Sequence, residues 1–164
     1  MDAIFQRTSI RNFQEKNVEP EFIEKILRAG MSAPSGGNQQ PWEFYIVRDP
    51  DMIRRLSGCS IYAGCAAKAS VVIVPCYRTE GILYPELVMM DMSACVENML
   101  VEIADQGLGG VWLSVAPYED RMKKADEILG LSASLRAFAL IPVGYPVQKR
   151  SASDRYDRIR VHEV

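Results

Sequence analysis

The sequence predicts one domain in which a mixed β-sheet packs against helices, and three observations carry that expectation. Stretches with strand character are separated by stretches of helical spacing, and their patterns differ along the chain. Val71-Val72-Ile73-Val74 is an unbroken β-branched run, the pattern of a strand buried on both faces. From about Pro85 to Gln106 a helix is apolar around nearly its whole circumference, which places it centrally or in an interface. With 164 residues, 48% apolar and 24% charged, the chain is long enough for a sizeable core and too apolar for disorder.

In chain order, Asp2 to Arg7 is a short apolar helical turn, followed by polar Arg7 to Phe13. Glu19-Pro20-Glu21 opens a helix whose Phe22, Ile23, Ile26 and Leu27 recur at helical spacing before Gly30. Ala33 to Pro41 is a loop, because its Pro, Gly, Ser and Asn leave no room for regular structure. Glu43 to Val47 reads as a strand, and Asp49 caps a short helix through Leu56. Ile61 to Ala69 is expected to be helical, and Pro75 to close the Val71 strand. Gly107 caps the long apolar helix. Gly109 to Val115 is a further apolar run, Tyr118 to Leu129 a helix stopped by Gly130, and Arg136 to Val143 a strand. The tail from Val147 to Val164 is polar and basic and has no core of its own.

Several functions are disfavoured by counting. Nineteen basic against 21 acidic residues give a net charge of -2 with no basic run, which argues against a nucleic-acid partner. No apolar stretch approaches the roughly 20 residues of a membrane span, and Met1 to Arg7 lacks the pattern of a secretory signal, so a cytoplasmic protein is expected. Cys59, Cys65, Cys76 and Cys95 match neither a redox pair nor zinc spacing and read as free thiols. With His162 as the only histidine, a His-dependent triad or multi-His metal site is not expected.

Two loops hold more polar function than folding requires. Arg7, Thr8, Ser9 and Arg11 put two guanidinium groups and two hydroxyls within five residues, a donor set suited to a phosphate. A solvated turn would have the same composition. Pro34 to Pro41 offers glycine for close approach, with Ser35, Asn38 and Gln40 as uncharged donors and acceptors, which suits a polyol or heterocycle edge. An ordinary connecting loop is the alternative. Asp91 lies on the apolar helix and needs a partner if buried.

The succession Arg7-Thr8-Ser9-Ile10-Arg11-Asn12-Phe13, Ala33-Pro34-Ser35-Gly36-Gly37-Asn38-Gln39-Gln40-Pro41-Trp42, Asn98 before Gly107-Leu108-Gly109, and Ile141 to Pro146 resembles the FMN-dependent nitroreductase family, in its short single-domain branch. The resemblance implies an α+β fold built as an intertwined homodimer, with FMN at the interface and residues 147–164 embracing the partner subunit. It implies that Arg7, Thr8, Ser9 and Arg11 hold the phosphate and ribityl chain. Pro34, Ser35, Gly36, Asn38 and Gln40 would reach the flavin of the other subunit. Ser114, Val115 and Ala116 would lie against the ring and donate to its N5, and Arg155 would complete the phosphate site. Longer relatives place a lysine near flavin N1 where Cys65 stands here, and Lys68 is close but out of register. The implied activity is hydride transfer from NADH or NADPH to a nitroaromatic, quinone or related small acceptor by a ping-pong mechanism, with no catalytic side chain and no metal. A dehalogenase-like or flavin-fragmenting relative, or a flavin-binding protein without turnover, are the alternatives.

Overall fold

The computed structural model of the protein describes residues 3–148 and 154–164. Its α-helices are α1 (Ala3–Gln6), α2 (Pro20–Met31), α3 (Pro50–Ser57), α4 (Val88–Asp105) and α5 (Glu119–Leu129). Its strands are β1 (Trp42–Val47), β2 (Val71–Arg78), β3 (Gly109–Gly110), β4 (Leu113–Ser114), β5 (Leu135–Ala137) and β6 (Ala139–Gly144). Strand β2 is central. It pairs with β1 on one side and with β6 and then β5 on the other, while β3 and β4 pair with the far edge of β6. All these ladders are antiparallel, and among the described residues the parallel component of the expected mixed sheet is the Ser9–Gly110 bridge. The architecture is α+β.

Val71 to Cys76 are buried, as the β-branched run requires. Pro75 does not end β2, which continues to Arg78. The Pro75 carbonyl accepts the Phe138 N–H at 2.9 Å, and in an extended strand a residue's N and O point to the same side. The missing Pro75 N–H therefore faces Phe138, the one-residue break between β5 and β6, where the lost ladder bond costs little. That break divides the expected strand Arg136 to Val143 in two.

Other expectations are adjusted in similar ways. Pro85–Leu87 is a 3-10 turn, and α4 begins only at Val88. Residues 61–69 contain a 3-10 helix, Ala63–Lys68, without an α-helix. The run from Gly109 divides into β3 and β4 around Val111 and Trp112. Gly30, expected to stop α2, lies inside it, against Met99 and Cys95 of α4. The Asp49 cap holds, its carboxylate accepting the Met52 N–H at 2.7 Å. Gly107 also ends α4 as expected, with its N–H on the Ala104 carbonyl.

Met92, Cys95, Val96 and Met99 of α4 are fully buried, whereas Met90 is 67% exposed. The helix is thus largely core, and on its other side Met89, Ala94 and Val101 are half-buried beside exposed Met90. Ile4 and Phe5 of α1, which packs on α4, are also exposed. In the tail, Val147 N–H donates to the Asn12 carbonyl at 3.2 Å. Residues 149–153 of the expected tail lie outside the described residues. Beyond them, Tyr156 and Ile159 are exposed around a short turn at Arg158–Arg160. No helix among the described residues is long and apolar enough to cross a membrane.

Candidate cofactor site

The first polar loop is fixed by its apolar residues. Ile10 and Phe13 are buried, and an added Cβ would fall 2.7 Å from Ile10 at Gly109 and 2.9 Å from Phe13 at Gly144. Only glycine permits that approach of the loop to the edge of the sheet. Ser9 bridges Gly110, Ile10 N–H donates to the Gly110 carbonyl at 2.9 Å, and Gln14 N–H to the Tyr145 carbonyl at 2.8 Å. With Ile10 and Phe13 turned inward, Arg11 and Asn12 between them are exposed. Arg11 and Lys68 line one cavity of about 430 Å³ with Ile10, Asn12, Phe13, Val147 and Gln148. Neither cation has an ion-pair partner among the described residues. Arg7 pairs through Nε with Glu97 of α4 at 3.1 Å. Burial pushes the Cys65 thiol up, while the charges of Arg11 and Lys68 pull it partly back.

The second loop is held by groups that its own composition does not advertise. Gln39 is buried beneath exposed Pro34, Asn38 and Gln40. Its Nε2 donates to Asp91 Oδ2 at 2.7 Å and to the Tyr84 carbonyl at 3.1 Å, and its Oε1 accepts the Tyr84 N–H at 2.9 Å. Asp91 Oδ1 accepts the Gly36 N–H at 2.9 Å, so this buried carboxylate has the partners it requires. Arg78 Nη2 donates to the Gln39 and Gln40 carbonyls at 3.0 Å each. Ser35 Oγ accepts the Gln40 N–H at 3.0 Å, and Gln40 Nε2 donates to Asn38 Oδ1 at 3.2 Å. Asn38 and Gln40 hold positive φ of 54° and 44°, a conformation that these bonds sustain. Gln39 was legible only as a loop residue. The requirement of Asp91 for a partner was the available signal.

The third segment follows β4. Ala116 N–H is committed to the Phe138 carbonyl at 2.9 Å, whereas the Val115 N–H, one residue back along the chain, has no acceptor among the described residues. Ser114 is exposed, and its carbonyl accepts Arg121 Nη1 at 3.1 Å. Arg155 is exposed in the tail. Within the chain no hydrogen bond or ion pair between described residues joins the first loop to the second.

These groups fit a phosphorylated planar cofactor. The first loop presents guanidinium and hydroxyl donors beside a cavity lined by Arg11 and Lys68, which have no ion-pair partner among the described residues. The second presents amide and hydroxyl groups on a strained, well-anchored backbone. They do not form a nucleophile–base pair. Burial raises the thiols, Cys95 up to about 12 and Cys76 further, so both stay protonated. His162 is exposed in the tail, and among the described residues no group of three His, Cys, Asp or Glu could hold a metal.

The description "Nitroreductase family" matches residues 4–63 and 62–145. Along 99% of its length the chain is 39% identical to a protein of Archaeoglobus fulgidus provisionally named NADH dehydrogenase/NAD(P)H nitroreductase, covering 95% of that relative. A solved structure from Clostridium acetobutylicum, provisionally named an NADH oxidase, superposes with a TM-score of 0.95 at 44% identity, covering 98% of each chain. One from Desulfovibrio desulfuricans, provisionally named a nitroreductase and solved in complex with FMN, superposes with a TM-score of 0.84 at 32% identity, covering 99% of this chain and 94% of that one.

Proposed function

The chain belongs to the nitroreductase family, and on that premise we propose that it is an FMN-dependent oxidoreductase that takes hydride from NADH or NADPH and reduces a nitroaromatic, quinone or related small acceptor. When bound, FMN supplies the electron-transfer chemistry, so the chain has to bind, orient and tune. The observation that carries the reading is the pairing of half-buried Arg7 and Ser9 and exposed Arg11 on one loop with a cavity whose cations, Arg11 and Lys68, have no ion-pair partner among the described residues. Arg7, Thr8, Ser9 and Arg11 hold the phosphate and ribityl chain, and Arg155 adds a further positive charge. Val115, flanked by Ser114 and Ala116, offers the ring a backbone N–H that has no acceptor among the described residues. The charge of Lys68, felt at Cys65, supplies the positive potential that a lysine provides in longer relatives.

Pro34, Ser35, Gly36, Asn38 and Gln40 serve the site of a second copy of the chain. Three features support this: the lack of bonds between the two loops among the described residues, the exposed apolar side chains of Met90, Ile4 and Phe5, and a tail whose Tyr156 and Ile159 are largely exposed. Donor and acceptor take turns in one pocket, a ping-pong order. Initial rates over a grid of NADH and quinone concentrations test it: parallel double-reciprocal lines are expected, and intersecting lines would contradict it.

A further inference from the structure

Beside Ser114 the chain gathers a half-buried cation and two exposed aromatic rings that neither folding nor the proposed cofactor contacts explain. The Arg121 guanidinium lies 3.9 Å from the Tyr118 ring centroid and 5.9 Å from that of Tyr62. Its Nη1 donates to the Ser114 carbonyl at 3.1 Å, and the remaining donors of the fork have no partner among the described residues. The nearby acid Glu119 is engaged by Arg136 at 2.9 Å, so it does not neutralise Arg121. Tyr62 is 69% and Tyr118 49% exposed, and neither hydroxyl has a partner among the described residues. Arg136, by contrast, is neutralised by two carboxylates that tie α5 to β5. Arg121 is therefore a charged, planar fork held at the end of β4, with its charge and most of its donors unused among the described residues.

We propose that Arg121, stacked on Tyr118 beside Tyr62, is a specificity-determining residue that selects planar aromatic acceptors bearing a carboxylate. The fork matches a carboxylate in two-point geometry, and the tyrosine faces offer sequence-tolerant stacking to the ring that carries it. Tyr118 also holds the guanidinium by cation–π attraction, which limits the entropy lost when an anion docks. The inference deepens the reading above and rests on it for the identity of the reaction, while the binding of the carboxylate stands apart from turnover.

The test uses FMN-loaded wild type and Arg121→Gln, which keeps a polar side chain while the charge and the guanidinium fork are gone. Two readouts are taken: kcat/KM for para-nitrobenzoate against its uncharged methyl ester, and equilibrium binding of benzoate, which cannot be reduced, by perturbation of the bound-flavin spectrum. The expected result is a loss of about tenfold or more for para-nitrobenzoate and for benzoate, with less than about twofold change for the ester and for FMN affinity. Equal losses for acid and ester would make Arg121 a mere prop for Ser114 and overturn the proposal, as would no loss for either. A wild type that binds benzoate through Arg121 and yet reduces no acceptor would refute the proposed reaction while leaving the binding role intact.

Discussion

Replacing Asp91 by Asn tests how the second loop is held. The carboxylate is 6% exposed and accepts two bonds, from Gly36 N–H at 2.9 Å and Gln39 Nε2 at 2.7 Å. The asparagine amide has one acceptor oxygen, so either way round its NH₂ faces a donor and one bond is lost. Hydrogen bonds to a charged group are each worth about 1.5–3 kcal/mol, and a donor left buried without a partner costs a similar amount. The expected loss is therefore about 1.5–3 kcal/mol, divided between two readouts. If the loop unfolds with the domain, the loss appears in urea unfolding. If it opens separately, FMN affinity falls with the fraction of competent loop, by about one to two orders of magnitude at most. Both are measured beside the exposed control Asp105→Asn. A stability change under about 0.5 kcal/mol together with unchanged FMN affinity would refute the anchoring role.

Arg7→Ala should weaken FMN binding by about 1.5–3 kcal/mol, the worth of a charge-assisted contact; fluorescence titration beside Lys124→Ala, which should not change, decides it. Mixing Arg7→Ala with Asn38→Gly, a change that keeps the left-handed backbone, should restore about a quarter of the FMN sites in randomly re-formed dimers, since one site of each mixed pair receives both intact loops. No recovery would place both loops in one subunit's site. Burial holds Cys95 at about 12 and Cys76 higher, against an ordinary value near 9.0. The folded state favours the neutral thiols, so their contribution is intact below about pH 9 and is lost progressively as pH rises toward about 12. Urea midpoints should fall in that window, and midpoints independent of pH there would contradict the burial.

Periodicity and β-branching made the helices and the central strand legible, because those patterns report burial directly. What they miss depends on contacts distant in sequence. Pro75 reads as a strand end, since nothing local shows that its missing N–H faces the break at Phe138. Nothing local to Gly109 or Gly144 shows a close approach, although their lack of a Cβ is what seats Ile10 and Phe13 and so aims Arg11 outward. In the site, Arg7, Ser9, Arg11, Ser35 and Asn38 stand out because polar groups concentrated in loops exceed what folding needs. Gln39, which anchors them, is chemically unremarkable until Asp91 is found beneath it. Lys68 joins Arg11 only through the fold, because the two are far apart in the chain.

The central claim is tested most directly by the visible absorption spectrum of the purified protein under anaerobic conditions, before and after addition of NADH or NADPH, with the released flavin identified by mass. Bands typical of an oxidised flavin, bleaching on addition of the reductant and accompanied by the mass of FMN, are the expected result. A colourless protein that takes up no added FMN would contradict the assignment.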